Sequence, residues 1–393
     1  MKIGMLTSGG DCQGLNSALR GVAKTLYNEF GKDVTLYGIR DGYRGLIEGD
    51  YHPMKPEEFS DILTLGGTIL GTSRQPFKMM QKADENEETK LQKMLETCKK
   101  ARFDCLVILG GNGTHKTANL LSEHGIPVVT LPKTIDNDLI GTDHCPGFAS
   151  AAKYIATSVM EVARDCRVYN KGMITIIECM GRHAGWLTAA TVLPAAKGDG
   201  PDLIYLPEVD FDMADFLDDV IRVYEGQGQC LVAVSEGIHY SDGAFVSEAK
   251  TSSTDGFGHA QLGGLAHRLA GIVSAATGAK VRGIELSLLQ RCAAHCASAT
   301  DIEEAFQCGK VAVESALRGE TGKMVGMVCK RDGGYSVSYE LFDLRRVANA
   351  EKKIPLEWIT SDNAYVTDAF IDYCTPLLEG QTALGYEDGL PRF

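Results

Sequence analysis

Seven segments that are apolar on both faces, each passing into a helical pattern through a small or polar turn, constrain this chain more than any other feature. They fall at roughly 2–7, 34–39, 104–109, 126–131, 173–178, 229–235 and 281–287. A strand apolar on both faces is covered by helices on both sides, which is the parallel sheet of an α/β protein. The helix after the first segment shows the matching period: Leu15, Leu19, Val22 and Leu26 recur on one side, with Arg20 and Lys24 between them. Further helices are expected at about 147–165, 212–225, 259–275 and 301–318, and the charged stretch Lys82 to Lys100 reads as a solvated helix face. The alternation runs for about 330 residues with no sequence repeat and no low-complexity linker.

Composition agrees and excludes several classes. A chain of 393 residues that is 44% hydrophobic can bury a large core and by length holds two or three domains. No apolar run reaches the roughly 18 residues of a membrane span, and the N-terminus enters a strand without a signal-peptide pattern, so a cytoplasmic protein away from membranes is expected. Twelve cysteines without a Cys-x-x-Cys pair read as isolated buried thiols in a reducing compartment. Cys292 and Cys296, four apart, could share a helix face, but two thiols alone make a poor metal site. A net charge of −13 argues against a nucleic-acid surface. A phosphorylated ligand would have to be held by local arginines and backbone dipoles.

The chemistry concentrates at strand ends. Thr134, Asp136 and Asp138 close the apolar run Ile126 to Leu131, where open α/β sheets place ligands. Two carboxylates there can take a proton from an attacking hydroxyl and hold Mg²⁺, the two tasks of phosphoryl transfer. An Asp-x-Asp alone more often caps a helix. Its company argues otherwise: Gly9-Gly10-Asp11, Gly110-Gly111-Asn112-Gly113-Thr114, Met180-Gly181-Arg182 and Val234-Ser235-Glu236-Gly237 each follow or end a strand. Turns of this kind offer backbone N–H groups and helix N-termini to anions.

Together with Gly66 to Arg74 and Leu289-Gln290-Arg291, these stretches resemble the phosphofructokinase family over essentially the whole chain. Asp143 to Phe148, Pro201 to Glu208 and Gly389 to Arg392 look like its short bacterial branch, many of whose members use pyrophosphate. The resemblance implies two similar three-layer α/β domains with mostly parallel sheets. The donor domain would be 1–146 plus about 288–345, and the sugar-phosphate domain 147–287 plus about 346–393. It also implies a homo-oligomer with shared active sites. Asp136 would be the base, Thr134 would orient the sugar, Asp138 with Asn112 would hold Mg²⁺, and Arg182 and Lys133 would balance charge. Gly10, Arg74, Asn112, Gly113 and Thr114 would cradle the donor. Met180, Gly181, Arg182, Glu236, Arg282 and Arg291 would join Thr134 and Asp136 around fructose 6-phosphate. His183, beside Arg182, is expected to pack or cap.

Two departures concern the sugar phosphate. Met173 and Leu288 stand where the family often has arginine and histidine, and Lys171 is available to replace the lost charge, without the guanidinium's fork. A related sugar phosphate is therefore an alternative acceptor. For the donor, Gly113 stands where pyrophosphate users place an Asp whose charge repels ATP, so ATP is expected. Lys133 points toward pyrophosphate, and Thr117 stands where ATP users commonly have glycine. The Gly-Gly-Asn-Gly-Thr turn also looks like that of NAD kinases, which lack the Asp-Asn-Asp and Met-Gly-Arg stretches. A sugar-phosphate sensor on the same fold would be expected to have lost Asp136.

Overall fold

The apolar segments form strands in a computed structural model that describes residues 1–393 apart from 86, 169–171, 248–263, 349 and 393. The expected strands are β1 (Lys2–Thr7), β2 (Thr35–Ile39), β4 (Cys105–Gly110), β5 (Val128–Pro132), β6 (Ile174–Cys179), β8 (Cys230–Ser235) and β9 (Val281–Glu285). Short strands β3 (Tyr51–Pro53) and β7 (Leu203–Tyr205) join them, as do β10 (Lys323–Lys330), β11 (Ser336–Asp343) and a terminal hairpin, Gly385–Glu387 with Leu390–Arg392. β9 departs from expectation, because none of its residues is fully buried.

The chain divides into two α/β units, one of Met1–Phe148, Ala294–Glu351 and Gly380–Phe393, the other of Ala149–Ala293 and Lys352–Glu379. The terminal hairpin therefore counts with the first unit. There the sheet order is β11-β10-β5-β4-β1-β2-β3, parallel except at β2–β3 and β10–β11. The strand order reverses at β1, which pairs with β2 on one side and β4 on the other. Such a switch point opens a crevice at the carboxyl ends of its strands. In the second unit the order is β7-β8-β6-β9, all parallel.

Local sequence explains how the covering helices sit. Leu15–Phe30 buries Leu15, Leu19, Val22 and Leu26 and crosses the helix Ala299–Leu317 at glycines. A Cβ on Gly21 would lie 2.1 Å from the Phe306 carbonyl, and one on Gly309 would lie 2.1 Å from that of Ala18. Only bare backbones fit so close. The helix in the charged stretch covers Lys90–Ala101 and starts late for a reason. Thr89 and Gln92 form a reciprocal cap there, at 3.1 and 2.8 Å. The helices Phe148–Cys166, Met213–Gln227 and Leu265–Thr277 lie near their expected places, residues 259–263 of the last expectation falling outside the described part.

Candidate active site

Three neighbouring strand ends build the half-site of the first unit. β1 and β4 are in register at Thr7 and Leu109, β4 and β5 at Gly110 and Pro132. Their following loops, Gly9–Asp11, Gly111–Thr114 and Lys133–Asp138, are thereby neighbours. After β5 the burial alternates: Ile135, Asn137 and Leu139 are buried, while Thr134, Asp136 and Asp138 are partly exposed. All three chemically expected side chains therefore share the open side. The Asp136 N–H donates to Thr134 Oγ1 at 3.1 Å, which holds the carboxylate's backbone. Asn137, left-handed at φ 53°, accepts from the Cys145 N–H at 3.0 Å.

Charge and dipole in this half-site suit an anion. Lys133 is 4% exposed and its ammonium donates to the Gly10 carbonyl. The helix Asn112–Glu123 begins in the same place, with Gly111 as its N-cap. A Cβ on Gly110 would strike the Thr114 side chain at 2.3 Å, so glycine lets that turn close. Gly113 is exposed, with no atom within 4 Å of an added Cβ. Thr117, fully buried, donates to the Gly113 carbonyl at 3.3 Å and so turns inward. Arg74 is exposed at the end of a segment fastened to the same loops. Thr72 donates to Gly9, Thr7 to Gly71, and Ser73 to Asp41, at 2.8, 2.8 and 2.6 Å.

The Oδ1 of Asn112 is buried and meets no hydrogen-bond donor among the described residues. An orphaned amide oxygen on the loop after β4 and a partly exposed carboxylate on the neighbouring loop after β5 are hard oxygens of the type Mg²⁺ takes, so the residues present fit that ion. His115, behind the loop, is fully buried. Burial, then the charge of Lys133, pushes its ring down to about 3, so it is neutral at ordinary pH.

In the second unit a smaller cluster forms at the ends of β6 and β8. The Gly181 N–H donates to Glu236 at 3.2 Å, Ser235 donates to the Gly181 carbonyl, and Met180 N–H reaches buried Gln290 at 3.2 Å. Gly181 has φ 136°, and a Cβ on it would lie 2.6 Å from the Ala184 carbonyl. A Cβ on Gly237 would lie 2.0 Å from the Arg182 carbonyl, so both glycines fix the backbone beneath Arg182. The guanidinium of Arg182 lies 5.9 Å from the Phe245 ring centroid. Arg291 follows Gln290 directly and is partly exposed.

Arg282 is not part of that cluster. It pairs with Thr175, four strand residues or roughly 13 Å before Cys179 at the end of β6. His183 is exposed, Leu288 is 55% exposed, Met173 is buried, and Lys171 lies outside the described residues. Cys292 ends one short helix and Cys296 lies in a separate turn, so they share no helix face. Sequence reasoning gave no role to Asn137, Asn16 or Gln290. Asn16 grips the Arg74-bearing segment through Leu65 and Ile69, at 3.2 and 3.1 Å. The available signal was an uncharged amide side chain inside each motif: Asn16 after the first glycine turn, Asn137 within the Asp-Asn-Asp stretch and Gln290 beside Arg291.

These features define a doubly wound α/β protein with glycine-rich loops at strand ends beside paired carboxylates. Comparison with known proteins agrees. The family profile described as Phosphofructokinase matches residues 2–316. An ATP-dependent 6-phosphofructokinase of Spirochaeta thermophila is 39% identical, the match covering 92% of this chain and 94% of that one. A pyrophosphate–fructose 6-phosphate 1-phosphotransferase of Xanthomonas campestris is 37% identical over 98% of this chain and 94% of its own. The solved pyrophosphate-dependent phosphofructokinase of Nitrosospira multiformis superposes with a TM-score of 0.86 at 30% identity, covering 99% of this chain and 94% of that one. The chain belongs to the phosphofructokinase family. It is a phosphotransferase of that family, and no helix among its described residues is long and apolar enough to cross a membrane.

Proposed function

We propose that this protein transfers a phosphoryl group from Mg²⁺-ATP to the C1 hydroxyl of fructose 6-phosphate. The observation that carries the reading is Thr134, Asp136 and Asp138 on the open side of one loop, beside buried Lys133 and a helix N-terminus. Asp136 takes the proton of the attacking hydroxyl. A carboxylate is a weak base near neutral pH, but a loose transition state lets that proton leave late. Thr134 orients the hydroxyl, while Gly10, Arg74, Asn112, Gly113 and Thr114 hold the donor phosphates. Asn112 and Asp138 hold Mg²⁺, which neutralises charge on the phosphates when bound. Met180, Gly181 and Glu236 line the sugar, Arg182 stabilises the charge on the moving group, and Arg291 holds the 6-phosphate.

The donor is read from Gly113. Open space and no carboxylate at that position leave room for the α-phosphate of ATP. Thr117, where ATP users commonly have glycine, is buried and bonded back to its own helix. Pyrophosphate is the second reading, favoured by buried Lys133 and by the relatives named for it. Arg282, distant from the Arg291 cluster along the sheet, supports a homo-oligomer in which one copy's Arg282 serves another copy's sugar site. Twelve cysteines, none in a disulfide, fit a cytoplasmic enzyme. The deciding experiment supplies purified protein with fructose 6-phosphate, Mg²⁺ and either ATP or pyrophosphate. Turnover with ATP is expected; turnover with pyrophosphate alone overturns the donor assignment.

A further inference from the structure

A buried polar cluster in the first unit takes no part in the chemistry above. His144 is fully buried, with Nε2 2.7 Å from Glu304 Oε2 and Nδ1 3.0 Å from Asp143 Oδ1. Arg331 grips both oxygens of Asp143, each at 2.8 Å, and the Tyr335 hydroxyl donates to Glu304. Cys329 lies 3.8 Å from Nδ1. These groups come from three separate places: the loop after Asp138, the helix Ala299–Leu317, and the β10–β11 hairpin.

Both ring nitrogens face a carboxylate, and a ring that donates to two carboxylates carries two protons. Burial opposes that charge, but the hydrogen bonds to Asp143, Cys329 and Glu304 and the charge of Glu304 outweigh it and raise the ring well above histidine's ordinary range. Around it stand Asp143 and Cys145 on its own loop, Asp301, Glu304 and Cys308 on the helix, and Cys329, Arg331, Tyr335 and Tyr339 on the hairpin. Asp143 also sits with His144 and Cys329 in a grouping whose ligand atoms lie within 4.8 Å. A divalent metal there would meet the Arg331 guanidinium already engaged on Asp143, so charge disfavours it.

The loop is stitched at every level around this ring. Thr142 donates to the His144 carbonyl at 2.6 Å and accepts from Met327 N–H at 3.0 Å, while Asp143 N–H reaches the Met327 carbonyl at 2.8 Å. The next residue, Cys145, gives its N–H to Asn137, between Asp136 and Asp138. We infer that His144 is a positioning residue: an imidazolium clamped between Glu304 and Asp143, it fixes through Cys145 and Asn137 where Asp136 and Asp138 point. The inference rests on the proposed phosphoryl transfer for what is positioned, while the clamp itself can be tested without turnover.

The test has two arms. In parent protein carrying ¹⁵N-labelled histidine, NMR is expected to show a ring that keeps both protons above the pH at which an ordinary imidazole loses one. Loss of that signal in His144→Gln assigns it. Glu304→Gln, which removes the charge and keeps an acceptor oxygen, should make the same ring titrate at lower pH and serves if His144→Gln does not fold. In kinetics with the parent's working donor, folded His144→Gln should lose about tenfold or more in kcat with both KM values kept within about threefold. A parent spectrum with no such doubly protonated ring overturns the inference. So does a folded variant with parental kcat, or stoichiometric metal that His144→Gln abolishes. Absence of turnover in the parent with either donor would instead count against the proposed reaction, leaving the NMR arm standing.

Discussion

Asp136 is held where a base is useful: its backbone is pinned to Thr134, its neighbours are buried, and its own side chain is partly exposed. Asp136→Asn should therefore fold and bind sugar phosphate as the parent does, with turnover lower by about 10²-fold or more. Steady-state kinetics checks this, and turnover within about threefold of the parent would remove Asp136 from the role. Gly113 makes a complementary test, because nothing lies within 4 Å of the Cβ that a substitution adds. Gly113→Asp should leave stability within about 0.5 kcal/mol of the parent, as surface changes do. It should lower kcat/KM for ATP by about tenfold or more through charge repulsion with the α-phosphate. An unchanged ATP term would mean that the donor does not pass this residue.

At the scale of elements, Glu178 on β6 caps the helix Leu265–Thr277 by accepting from the Ala266 N–H at 2.9 Å. Burial first, then the nearby charges of Glu285 and Glu236, push its carboxyl from 4.5 up to about 7. The folded state thus keeps a proton that the unfolded chain gives up, and stability falls as pH rises from about 4.5 to 7. The full effect is on the order of 3 kcal/mol. Glu178→Gln keeps an acceptor and should flatten that part of the stability–pH curve in denaturant unfolding; an unaltered slope would assign it elsewhere. Elements such as β6 and β8 were legible because all their residues are buried and nearly all are apolar or small, with Glu178 the charged exception, hydrogen-bonded to the helix it caps. β11 was not, since Ser-Val-Ser-Tyr-Glu alternates on an exposed sheet edge and carries half the signal. The Asp-x-Asp face was readable from spacing, whereas the anchor on Asn137 comes from Cys145 eight residues later and has no local pattern.

For the whole molecule, Arg282 and Arg291 belong to one expected phosphate grip, yet Arg282 lies early on β9, level with Thr175, and Arg291 in the short helix after that strand. Either Arg→Ala change should weaken sugar-phosphate binding by about 1.5–3 kcal/mol and leave the donor term largely intact. If Arg282 serves a neighbouring copy, mixing Arg282→Ala with Asp136→Asn protein and allowing subunits to exchange should restore activity, since some sites then combine an intact Arg282 with an intact Asp136. Mixtures no more active than their separate components would place both residues in one copy's site. The expected homo-oligomer is measured in the same experiment by its mass.

The first unit's route through the chain has a consequence for its birth on the ribosome. β5 is complete by Pro132, but its outer partner β10 starts only at Lys323, paired to Val129 and Thr130. The helix that meets Gly21 starts only at Ala299. Until those later segments emerge, the nascent first unit presents a bare strand edge that is apolar but for Thr130, while the second unit's main segment is made in between. A chain stalled before about residue 300 would thus be a client for holdase chaperones and prone to edge-to-edge association. Its completion closes that edge with a strand synthesised long after the one it covers.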